Sequence, residues 1–118
     1  MAEAQVFDGA VGANPVPRTQ ALFQALVDSW HIERGATSSI TEMSMCRSYQ
    51  RIVGMGPSAV PLILARLAEE GDEPDHWFWA LRAITGADPV PENARGDVVQ
   101  MAQAWLHWGR ANGYTNGR

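Results

Sequence analysis

From residue 19 to residue 114 the apolar stretches repeat at intervals of three and four residues, and none alternates over the length of a strand. A turn of 3.6 residues puts positions so spaced on one face, so each stretch is expected to fold as an amphipathic helix that needs a partner for its stripe. Five such patterns follow one another. The first begins after Thr19 as N-cap and aligns Leu22, Phe23, Leu26, Val27 and Trp30, with Gly35 free to end it in the left-handed conformation. The second starts at Ser39, which has capping-box spacing to Glu42, and turns Met45, Tyr49, Ile52 and Val53 inward, with Met43 and Cys46 alongside and Gly54 as the stop.

The third pattern runs from Ser58 to Glu70 with Val60, Ile63, Leu64 and Leu67 as its stripe. With Ser58 as cap, Pro61 falls in the first turn, where its missing N–H would have had no intrahelical acceptor. The fourth opens at Glu73-Pro74-Asp75, with proline near the first helical position and acids near the positive end of the dipole, and continues through Trp77, Phe78, Leu81 and Ile84 to Gly86. The fifth begins near Asp97, buries Val98, Met101, Ala102, Trp105 and Trp108, and stops before Gly113. These patterns predict an all-α fold, a compact five-helix bundle over residues 19–114. Residues 1–18 read as a flexible arm with Val6 and Phe7 as its only docking side chains, and residues 115–118 as a flexible tail. The connection from Ala87 to Gly96 is the longest and carries two prolines.

Composition excludes several function classes. Thirteen acids against nine arginines, with no lysine, give a formal charge of -4, which argues against direct nucleic-acid binding. A single cysteine, Cys46, excludes an intrachain disulfide and a multi-cysteine zinc site. No apolar run approaches the ~20 residues of a membrane span, and no basic, apolar leader precedes the first helix, so a cytoplasmic protein is expected. His31, His76 and His107 share no metal-binding spacing, and neither metal nor cofactor is expected.

The run Gly56-Pro57-Ser58-Ala59-Val60-Pro61-Leu62-Ile63-Leu64 resembles the second helix of a HEAT-like repeat unit, and His76 to Gly86 resembles the first helix of the next. The motif Leu81-Arg82-x-x-Thr85-Gly86, followed by the Trp105-x-x-Trp108 pair, is similar to the last repeat of bacterial HEAT-like proteins. The likeness covers about residues 39–112, a stretch that is also similar to a family of small uncharacterised bacterial proteins. It implies helical hairpins capped by the first and last helices, and protein binding as the role.

Two features stand out as candidate binding elements. Glu69, Glu70, Asp72, Glu73 and Asp75 form an acidic run uninterrupted by any cation, suited to steering a basic partner, unless some of these acids serve the following helix. In the adjoining His76-Trp77-Phe78-Trp79, Trp77 lies on the apolar stripe and Trp79 points away from it, toward the surface. The bland alternative packs these rings against Trp105 and Trp108.

His31, in the run His-Ile-Glu-Arg over 31–34, reads as a solvated group at a helix end, and Cys46 as a small buried hydrophobe. Asp75 and His76 are adjacent, so they do not form a dyad with each other, and His107 lies on the outer face of its helix. The chain is therefore expected to be a non-enzymatic binder of a protein partner with a basic surface, through Glu69, Glu70, Asp72, Glu73, Asp75, His76 and Trp79. An adaptor, an antitoxin or immunity factor, and a phage-borne inhibitor of a host defence complex all fit. One alternative is a small hydrolase or transferase that gathers His31, His76 and Cys46. Another is a structural protein that self-associates through its tryptophan-rich face, and the chain is expected as monomer or homodimer.

Overall fold

The computed structural model describes residues 16–114, so the expectations for Val6, Phe7 and the 115–118 tail lie outside the described residues. Among the described residues there are six α-helices, two short 3-10 turns and no strand. The helices are α1 (Val16–Arg34), α2 (Ile40–Met45), α3 (Arg47–Gly54), α4 (Val60–Glu70), α5 (Phe78–Thr85) and α6 (Val98–Ala111).

Helix α1 starts earlier than Thr19, because Pro17 is accommodated in a first turn that needs no N–H from it. Phe23, Leu26, Val27 and Trp30 are buried as their spacing predicts, whereas Leu22 lies on the exposed flank. Gly35 ends the helix at φ 55°, in the left-handed region.

The second predicted helix is two helices. Cys46 is extended, with ψ 142°, and the chain restarts at Arg47. The break has a tertiary cause: Glu33 of α1 takes the Ser48 N–H at 3.0 Å and the Ser48 hydroxyl at 2.6 Å, supplying α3 with the N-terminal acceptor it lacks locally. The restart also shifts the helical phase. Met43 faces inward and Met45 faces out, 65% exposed, while Tyr49 and Ile52 keep their expected buried places.

Helix α4 is entered through a 3-10 turn over Gly56–Ala59, so Ser58 is not its cap; the Ser58 hydroxyl donates to the Met55 carbonyl instead. Pro61 does sit in the first turn. Helix α5 begins at Phe78, later than the Glu73-Pro74-Asp75 opening predicted for it, and those three residues belong to a loop. Helix α6 is capped as expected, with the Asp97 side chain accepting from the Gln100 N–H, although Val98 is 38% exposed. Val90 and Ala94, in the long connection before it, are buried, a contribution the stripes do not reveal.

Helix α1 packs on α3, α3 on α5, and α4 on α6. A chain of rings fills the centre: Phe23 to Trp77 at 5.8 Å between centroids, Trp77 to Trp30 at 5.0 Å and Trp30 to Tyr49 at 5.0 Å. Trp105, Trp108 and Tyr114 form a separate set on and after α6. Trp77 therefore packs on α1 and α3, not against Trp105 and Trp108. No single helix among the described residues is long and apolar enough to cross a membrane.

Candidate functional site

The acidic run spans the last two residues of α4, Glu69 and Glu70, and the loop that leads to α5, and its five carboxylates separate into two groups. Glu70 and Asp75 turn inward. Glu70 accepts the Asp75 N–H at 2.9 Å through Oε1 and the Trp77 indole N–H at 3.2 Å through Oε2. Asp75 Oδ1 accepts from Arg34 Nη1 at 2.6 Å and from the His76 N–H at 2.8 Å, while Oδ2 lies 3.1 Å from His31 Nε2. Glu69, Asp72 and Glu73 remain exposed to solvent.

The inward acids hold the loop against two other helices. Arg34 stacks 4.3 Å over the Trp30 ring of its own helix while it grips Asp75, so the ring steadies the guanidinium whose charge joins α1 to the loop. Burial raises the Asp75 pKa, but hydrogen bonds from Arg34, the His76 amide and His31, with the Arg34 charge, outweigh it and hold the carboxyl below its usual range. From α3 the Tyr49 hydroxyl donates to the His76 carbonyl at 2.9 Å and accepts the Ala80 N–H at 2.9 Å.

This anchoring buries Trp77 completely and leaves Trp79 43% exposed, the division the helical spacing predicts. Trp79 stands between two hollows. One is a cleft of about 190 Å³ bounded by Ile40 and Ser44 of α2, Tyr49 of α3, His76 and Phe78, Trp79 and Arg82 of α5, and Met101 of α6. The other is a shallower depression of about 340 Å³ that runs from Trp79 and Arg82 to Gly86 and Asp88. Arg82 lines both hollows, and the nearby Asp88 is engaged by Arg95 at 2.8 Å.

His31, His76 and Cys46 are not joined to one another by any hydrogen bond among the described residues. His31 meets Asp75, and His76 contributes only its backbone to the network. Cys46 Sγ points to the Glu42 carbonyl at 3.4 Å, and burial, reinforced by the Glu33 and Glu42 charges, pushes its thiol pKa up, away from a reactive thiolate. His107 lies exposed on α6. Among the described residues no group of three or more His, Cys, Asp or Glu side chains is placed to hold a metal ion.

Arg34, Tyr49 and Arg82 are the residues that sequence reasoning passed over. The first two act on partners 41 and 31 positions away, beyond any local pattern. Arg82 carried a signal, an arginine within a helical turn of an outward tryptophan, since both residue types recur at binding hot spots. Comparison with known families, with curated proteins and with solved structures finds no match to this chain.

Proposed function

We propose that this chain is a non-enzymatic binding module, built from HEAT-like helical hairpins, that docks a protein partner on the α5 face around Trp79. The observation that carries this reading is the display of Trp79, 43% exposed, as the shared wall of two hollows, while the loop before it is tied down from α1, α3 and α4. A rigidly presented tryptophan offers large contact area with little ordering cost, and an arginine one turn away adds a donor fork. The exposed Glu69, Asp72 and Glu73 suit basic side chains on the same partner. An immunity factor, an antitoxin or a phage-borne inhibitor of a defence complex would meet such a partner in the cytoplasm.

The test is affinity capture from cells of the source with the wild-type chain, Trp79→Ala and Ile32→Ala, the last removing an apolar side chain that is 81% exposed elsewhere on α1. A stoichiometric protein kept by Ile32→Ala and lost with Trp79→Ala supports the reading. A partner held equally by all three chains places the interface elsewhere. A mass that doubles with concentration and reverts in Trp79→Ala assigns the face to a second copy of the chain.

A further inference from the structure

The cleft beside Trp79 has a chemistry that narrows what enters it. At about 190 Å³ it is smaller than the roughly 300–1,000 Å³ of pockets that enclose whole small molecules, and has room for one large side chain. Its inner polar groups are already used. The Tyr49 hydroxyl both donates and accepts, and the Ser44 hydroxyl donates to the Thr41 carbonyl at 3.1 Å. The interior therefore offers an occupant apolar contact and little directional bonding.

The rim differs. Its ionisable groups are the His76 ring and the Arg82 guanidinium, neither of which has a hydrogen-bond partner among the described residues, and no carboxylate lines the cleft. In a chain of net charge -4, the Arg82 guanidinium puts a positive group at the edge of this cleft, and Asp88 of the adjoining hollow is held mainly by Arg95. An apolar floor with an arginine at its edge whose N–H groups make no hydrogen bond among the described residues complements an apolar side chain that has a carboxylate beside it.

We propose that the partner is held here by an acidic segment that inserts a single leucine, methionine or phenylalanine into the cleft and sets a neighbouring aspartate or glutamate on Arg82 and His76. This rests on the binding-module reading above and specifies the partner's anchor. The same partner's basic residues face the exposed acids of the loop.

The probe is a random peptide display library selected on the full chain, followed by titration of the enriched synthetic peptide. A consensus of a large apolar residue next to Asp or Glu is expected. Its affinity should fall about tenfold or more with Arg82→Glu or Trp79→Ala and stay unchanged with Ile32→Ala, each variant checked for wild-type helicity. A peptide with the carboxylate changed to lysine should bind Arg82→Glu better than it binds wild type. A basic consensus, no consensus, or binding indifferent to Arg82→Glu overturns the anchor. If capture of the natural partner still depends on Trp79 in that event, the binding-module reading stands without it; if capture fails as well, both go.

Discussion

Tyr49 caps a helix to which it does not belong: from α3, its hydroxyl accepts the Ala80 N–H of α5 at 2.9 Å while donating to the His76 carbonyl. Helix α5 has no side-chain cap of its own, since its N-cap position is Trp77. The phenol thus fixes the place where the loop ends and the helix that carries Trp79 begins. Tyr49→Phe keeps the ring between Trp30 and Trp77 but leaves a buried amide without an acceptor. The expected cost is about 1–3 kcal/mol, read as a lower urea midpoint with an unchanged slope. An unchanged midpoint would show that water replaces the hydroxyl at no cost.

The same phenol gives the fold an alkaline limit. Burial pushes the Tyr49 pKa above its ordinary value, chiefly by desolvation, against a smaller lowering from the Ala80 amide. A folded-state pKa above the unfolded one contributes stability that is complete below the unfolded value, about 10, and is lost as pH rises toward the folded value. Wild-type stability is therefore expected to fall above about pH 10, and that of Tyr49→Phe to fall less steeply. Thermal melts of both chains across that range measure the difference.

Helix α3 repeats the arrangement with a different acceptor, the Glu33 carboxylate, and together the two helices show what the sequence holds locally and what it does not. Ser39 and Asp97 cap helices from within three residues, so their starts are legible in the sequence. The caps of α3 and α5 come from Glu33 and Tyr49, 15 and 31 positions away, and both of those helices begin later than their stripes suggest. Stripes uninterrupted by a restart, such as Ile63, Leu64 and Leu67, are buried as read, whereas Met45 lies beyond a phase shift and is exposed. The site follows the same division. The display of Trp79 follows from its angle to Trp77, but the inward turn of Glu70 and Asp75 depends on His31, Arg34 and an indole that only folding brings near. Glu33→Ala, which strips the acceptor from Ser48, is expected to cost about 1–2 kcal/mol, as loss of an N-cap does. Denaturation with the far-ultraviolet signal of the remaining helices retained is the measurement.

Asp75 and Glu33 are expected to contribute to the acid side of the stability curve. Both carboxyls are held below their ordinary values, Glu33 chiefly by the Ser48 hydroxyl and Asp75 by the Arg34, His76 and His31 bonds that outweigh its burial. A depressed folded pKa contributes stability that is present above the unfolded value, about 4, and is lost as pH falls through the folded one. Asp75→Asn is expected to be less stable than wild type at neutral pH, and the gap should close as pH falls below about 4. Urea midpoints of the two chains at descending pH test this, and a gap that stays constant would mean that the Asp75 charge adds nothing beyond shape.

The loop acids make separable predictions because only some of them are free to meet a partner. Reversing Asp72 and Glu73, both exposed, should leave the urea midpoint nearly unchanged and weaken partner binding at low salt, mainly by slowing association. The loss should shrink as salt screens the field. Glu70→Lys should behave differently. It removes the acceptor for the Asp75 amide and the Trp77 indole, so its first effect is a lower midpoint, and any loss of binding follows from a loosened loop beneath Trp79. Comparing the two variants against the captured partner separates charge steering from support of the site. If the Asp72 and Glu73 reversals leave the association rate unchanged at low salt, the acids take no part in recognition, and Trp79 with Arg82 carries the interface alone.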